Sequence, residues 1–159
     1  MRIIAGTFRS RRLRTLPGLH LRPISDRLRE TLFDILQQRV PGSVFIDAYA
    51  GSGAVGIEAV SRGARKVFFI EKHPRAVALI RENLASLGIE EAFEVLAEDV
   101  GVGLRGLERR AIEADICFLG PPYAETEEYE RTLNVLGELK VVRRGGIVIA
   151  QHPTRHALG

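Results

Sequence analysis

The chain is poor in the residues that would announce a metal, redox or membrane role. Its 159 residues include one cysteine, one methionine and no tryptophan. Cys117 alone can form neither an internal disulfide nor a cysteine-rich zinc centre. Its strand context reads as that of a small buried side chain rather than a nucleophile. His20, His73, His152 and His156 are scattered without ligand spacing. No apolar run approaches the roughly 18 residues of a membrane span. The opening MRIIAGTFRSRRLR lacks the long apolar stretch of a secretory signal. Lysine is scarce as well, three residues against 20 arginines. These absences lead us to expect a cytoplasmic globular protein of about one domain, monomeric and without a metal.

Charge is uneven along the chain. The formal net charge is +3, yet residues 1–30 carry eight arginines against Asp26 and Glu30, a local balance of +6. Arginine offers a planar donor fork suited to phosphates and base edges. A basic arm on a nearly neutral body points to nucleic acid, with Arg2, Arg9, Arg11, Arg12, Arg22 and Arg27 as candidate contacts. The plain alternative is a solvated arginine-rich hairpin.

Residues 1–24 read as this arm and residues 25–159 as the main domain. Arg2–Ala5 and Leu13–Leu16 are expected to be short strands of a hairpin, closed off by Pro17-Gly18. A helix is expected from about Ser25, a candidate N-cap, with Leu28, Leu32, Ile35 and Leu36 as its apolar face. Strands and helices then alternate. The expected strands are Val44–Ile46, Lys66–Ile70, Phe93–Leu96, Ile116–Leu119 and Gly146–Ala150. The expected helices run through Ala54–Val60, from His73-Pro74 to Gly88, over Leu104–Ala111 and from Thr126 to about Leu139. Such alternation implies an α/β, Rossmann-like fold: a mostly parallel sheet with helices on both faces. Ligands bind such sheets beyond the C-terminal strand ends.

The residues with chemical promise lie at those ends. Asp47-Ala48-Tyr49-Ala50-Gly51-Ser52-Gly53-Ala54-Val55-Gly56 forms the first strand-to-helix turn. Gly51 and Gly53 allow close backbone approach to a ligand, and Gly56 allows tight helix–strand packing. The glycines also satisfy G-x-G-x-x-G, so an NAD site or a tight turn without ligand stays in view. Asp47 suits a cationic ligand and would repel a pyrophosphate. Glu71 closes the second strand, where a carboxylate can accept both hydroxyls of a ribose. Asp99, after the third, could accept from an adenine amino group or simply cap a helix. Tyr49 and Lys72 complete this candidate cofactor set. Acids at three successive strand ends suit a nucleoside bearing positive charge, as S-adenosylmethionine (AdoMet) does. Gly120-Pro121-Pro122-Tyr123 follows the fourth strand: the prolines fix the backbone so that a carbonyl can be held as acceptor, and Tyr123 can stack on a base.

Asp-x-x-x-Gly-x-Gly followed by a Pro-Pro-Tyr loop resembles the class I amino-group N-methyltransferases. Arg2-Ile3-Ile4-Ala5-Gly6, Arg22-Pro23-Ile24-Ser25-Asp26-Arg27-Leu28-Arg29-Glu30-Thr31-Leu32-Phe33 and Asp47–Gly53 resemble the RsmD type, through nearly the whole chain. The resemblance implies methylation of N2 of a guanine (guanine 966 type) in 16S ribosomal RNA, with AdoMet as cofactor and 16S rRNA or the small subunit as partner. It assigns amine activation and stacking to the 120–123 loop. Two departures stand out. The family has Asp or Asn before Pro-Pro where this chain has Gly120, and it usually adds an antiparallel strand pair after the fifth strand where this chain stops at Gly159. The alternatives are a catalytically impaired relative that binds AdoMet and RNA and, more remotely, an NAD-dependent oxidoreductase.

Overall fold

The computed structural model describes residues 1–15, 24–120 and 126–151, without the side chains of Thr126 and Tyr129. In chain order the elements are α1 (Asp26–Leu36), β1 (Val44–Ala48), α2 (Ala54–Ser61), β2 (Lys66–Ile70), α3 (Pro74–Ser86), β3 (Phe93–Leu96), α4 (Val100–Arg109), β4 (Ala114–Leu119), α5 (Thr126–Glu138) and β5 (Val142–Ala150). The strands form one parallel sheet in the order β3-β2-β1-β4-β5. Strands buried on both faces read as apolar runs, and VFIDA, KVFFI and ADICFL are such runs.

Side-chain alternation splits the core into two layers. Phe45, Val67, Phe69, Ile116 and Phe118 pack with residues of α1, α2 and α3. Val44, Ile46, Ala48, Phe68, Ile70, Cys117 and Leu119 pack with Val100, Leu104 and Leu107 of α4 and Val135 of α5. Strand order reverses at β1, which has β2 on one side and β4 on the other. The C-terminal ends of β1 and β4 therefore flank the topological switch point, where α/β sheets hold ligands.

Two expectations near the N-terminus need correction. The helix begins as expected, with Ser25 Oγ accepting from the Leu28 N–H at 3.1 Å. Its buried face, however, is Arg29, Leu32, Phe33 and Leu36; Leu28 is 44% exposed and Ile35 73% exposed. Arg29 turns the stripe inward because it has a buried partner. Its Nε lies 3.6 Å from Glu58 Oε1, with both side chains fully buried. Burial lowers the Arg29 pKa, and the charges of Glu58 and Asp26 oppose that shift.

The arm pairs through one antiparallel bridge, Arg2 to Arg12, rather than through two strands. Ile3 N donates to Arg11 O, and Leu13 N to Met1 O, both at 2.9 Å. The ladder stops because α2 takes the next donors. Glu58 accepts from the Ile4 and Ala5 N–H groups at 2.9 and 3.1 Å, and Ser61 O accepts from Thr7 N at 2.8 Å. Only glycine fits at position 6: its φ is +89°, and an added Cβ would come within 1.9 Å of Ser61 O. Ile3 and Leu13 join the α1–α3 core layer, so the root of the arm is part of the main core. Leu16, Pro17 and Gly18 lie outside the described residues.

Candidate active site

The Gly-rich turn leaves β1 through left-handed backbone at Tyr49 (φ +59°), Gly51 (φ +58°) and Gly53 (φ +83°). Gly53 N donates to Ala50 O at 2.8 Å, which closes the turn, and Gly53 is the N-cap of α2. Glu71, just past β2, is the acid that faces this turn. Its Oε1 accepts from the Gly51 N–H and its Oε2 from the His73 N–H, each at 2.9 Å. A carboxylate offers about four acceptor sites, and among the described residues these two donors take roughly half of the capacity of Glu71, which is 7% exposed. His73 is the N-cap of α3, and Glu71 therefore ties the turn to the start of that helix.

Asp47, expected to face a cationic ligand, lies inside the core and carries a structural hydrogen bond. Alternation along β1 puts Asp47 on the same face as Phe45, beneath α2. It is 1% exposed, and its Oδ2 accepts from the Gly56 N–H at 2.9 Å. Burial pushes its pKa up to about 8; the Gly56 hydrogen bond opposes that rise and the nearby Glu71 charge adds to it. Asp47 braces the first turn of α2 from below. The same burial, with Asp47 as neighbour, pushes the Cys117 thiol up to about 12 and leaves it a core residue.

The far side of the turn is closed by α5. Tyr49 is half-buried, and its hydroxyl lies 2.5 Å from Thr132 Oγ1. Burial pushes the phenol above its usual range; Thr132 opposes this, and the charges of Glu128 and Asp99 reinforce it. Lys72 Nζ sits 3.8 Å from Glu128 Oε2. Asp99 caps α4, with Oδ2 accepting from the Gly101 N–H at 3.1 Å, and it is exposed. Its helix-capping role is thus present, and Oδ1 is not engaged in that bond.

Gly120 N donates to Ala48 O at 3.3 Å, which carries the β1–β4 pairing one step beyond Leu119. Residue 120 is thereby held at the switch point. A Cβ there would lie 3.0 Å from Phe118 Cε1 and 3.6 Å from Gln151 Oε1. Pro121, Pro122 and Tyr123 lie outside the described residues, as does Arg22. Arg2, Arg9, Arg11, Arg12 and Arg27 are exposed, whereas Arg29, part of the same local excess of charge, is buried.

Sequence reasoning misses Asn83, which touches both the arm and the Gly-rich turn. The available signal is a polar residue on the α3 face that also buries Val77, Ile80 and Leu84. It also misses Glu58 and Ser61, whose role in seating the arm shows only once α2 is packed.

A five-stranded parallel sheet with a Gly-rich turn after β1 and an acid after β2 defines a Rossmann-like, class I methyltransferase fold. The chain belongs to the family described as conserved hypothetical protein 95, which matches residues 1–159 and is the RsmD-type methyltransferase family. It is 35% identical over 136 residues to the ribosomal RNA small subunit methyltransferase D of Escherichia coli, covering 86% of this chain and 66% of that one. Identity to the enzyme of the same name from Haemophilus influenzae is 35% over 123 residues, covering 77% and 64%. The chain thus spans about two thirds of the length of these two relatives. The structure of a hypothetical protein from Thermus thermophilus matches with a TM-score of 0.88 at 35% identity, covering 99% of this chain and 89% of that one. The two enzymes are methyltransferases by name and lend nothing to the oxidoreductase alternative.

Proposed function

We propose that this chain transfers the methyl group of AdoMet to the exocyclic N2 of a guanine in small-subunit ribosomal RNA. The observation that carries this is Glu71, held beside Gly51 at the switch point with acceptor capacity to spare. Ribose hydroxyls are donors and fit those remaining acceptor sites. The second oxygen of Asp99 suits the adenine amino group, and the backbone of Gly51 to Gly53 suits the amino-acid end. Asp47 positions the turn from beneath rather than touching the cofactor.

AdoMet supplies the methyl group together with its own leaving group, so the protein has chiefly to bind and orient. The guanine N2 lone pair is delocalised into the ring, so the amine must be polarised by acceptors placed at its N–H bonds. The family resemblance gives this task to the side chain at position 120 and to the Pro121 carbonyl, and gives base stacking to Tyr123. Gly120 contributes no side-chain acceptor, so the Pro121 carbonyl has to act alone. The exposed arginines of the arm and Arg27 fit phosphates and would carry most of the RNA affinity.

A second reading, a relative that binds both ligands and transfers slowly, is favoured by Gly120. Incubating the chain with AdoMet and either 16S rRNA or small ribosomal subunits, then mapping methylated guanines, tests the first. AdoMet binding by calorimetry with no methylated guanine would leave the second.

A further inference from the structure

We propose that Asn83 couples the arginine-rich arm to the cofactor turn, so that RNA and AdoMet bind cooperatively. This rests on the reading just given. Asn83 lies on α3 and is 1% exposed. A side-chain amide buried so deeply requires partners, and it has three. Its Nδ2 donates to Ser52 O at 3.1 Å and to Arg14 O at 3.2 Å, while its Oδ1 accepts from the Arg14 N–H at 2.9 Å. Both Nδ2 protons are therefore used, one on each side.

The two sides belong to different functions. Ser52 stands between Gly51 and Gly53, where the cofactor is to sit. Arg14 belongs to the arm, two residues beyond the bridged Arg12. Asn83 takes both backbone groups of Arg14, as a neighbouring strand would. Only one further contact joins the described arm to α3 by a backbone carbonyl: Arg11 Nη2 donates to Ser86 O at 3.0 Å. The Arg14–Glu82 pair, at 4.0 Å and exposed on both sides, adds little.

The turn is held against α3 at two points. Glu71 links Gly51 to His73 at the helix N-terminus, and Asn83 links Ser52 to the last turn. A ligand that orders the turn fixes Ser52 O, and with it the amide orientation that Arg14 needs. RNA that holds the arm acts in the reverse direction, and such coupling is reciprocal by necessity. Asn83→Asp keeps the shape and the acceptor but loses both donors, and it places a carboxylate against two carbonyls.

The test measures affinity for a 16S rRNA transcript with and without saturating S-adenosylhomocysteine, in the parent chain and in Asn83→Asp. The parent should bind RNA at least about 5-fold more tightly with the cofactor product present, the low end of usual allosteric couplings. In Asn83→Asp the factor should fall to about 1, with each ligand still bound alone. Equal factors in the two proteins would overturn the inference, as would a factor of 1 in a parent that binds both ligands. A parent that fails to bind S-adenosylhomocysteine in the absence of RNA would overturn the functional reading as well, and that titration separates the two failures. Hydrogen exchange at the Arg14 amide of the parent gives a check that needs no variant. S-adenosylhomocysteine should slow its exchange, and an unchanged rate would refute the coupling.

Discussion

Glu71 holds two backbone N–H groups with one carboxylate, so its removal affects the turn and the start of α3 together. Glu71→Ala should weaken AdoMet binding by roughly 1–3 kcal/mol, the usual loss when a ligand's donors are deprived of a charged acceptor. Calorimetric titration reads this directly, and unchanged affinity would remove Glu71 from the site. Asp47 gives a pH-dependent expectation. Its pKa rises from about 3.9 in the unfolded chain to about 8 in the folded protein, because burial disfavours the charge. The folded state therefore holds the proton more tightly. The stability linked to this group is full below about pH 4 and is lost as pH rises through about 8. Asp47→Asn keeps an acceptor for the Gly56 N–H and cannot ionise. The stability of Asp47→Asn relative to the parent should grow steadily from about pH 4 to about pH 8 in chemical denaturation. A difference that stays constant over that interval would mean that Asp47 is already ionised throughout.

At the scale of elements, the arm carries the RNA expectation. Arg9, Arg11 and Arg12 are exposed on a segment whose root is fixed by Ile3, Leu13 and Glu58. Replacing the three with glutamine should weaken RNA binding and flatten its salt dependence by about one slope unit per lost phosphate contact. An intact slope in a folded variant would make the arm structural only. Element boundaries were legible where apolar runs meet strong punctuation: β2 and β3 fall where the sequence puts them. They were less legible where glycine serves packing. α4 starts at Val100 rather than Leu104 because Asp99 caps it and because Gly103 sits where a Cβ would lie 2.7 Å from Ile70 Cγ2. β5 starts at Val142, and Arg143 to Gly146 disguise it as they pass a register irregularity opposite β4. The face of α1 was misjudged because a buried arginine is recognised only when its acid on α2 is known. In the site, Gly51, Gly53, Glu71 and Gly120 could be placed from strand-end position alone. The side on which Asp47 points could not, and neither could Asn83, whose partners Ser52 and Arg14 lie 31 and 69 residues away.

Under the proposed function, the whole molecule divides its work across the switch point. The turn after β1, with Glu71 and Asp99 beyond β2 and β3, forms the half suited to the cofactor. The end of β4 forms the half suited to the base. Position 120 belongs to the second half: its N–H continues the β1–β4 pairing by donating to Ala48 O. An acceptor introduced there should therefore change turnover and leave cofactor affinity almost untouched. The backbone accommodates a side chain, since φ at Gly120 is not in the left-handed region. The Cβ contact of 3.0 Å to Phe118 Cε1 requires the ring edge to yield by a few tenths of an ångström. Gly120→Asp should raise the rate of methyl transfer to 16S rRNA by about 10², the usual value of one polar group aimed at developing charge. Steady-state rates and AdoMet titrations on the same two proteins measure both quantities. Equal turnover with equal affinity would mean that the carbonyl of Pro121 already suffices to activate the amine. A gain in affinity without a gain in rate would place position 120 in the cofactor half and undo the division of labour across the sheet.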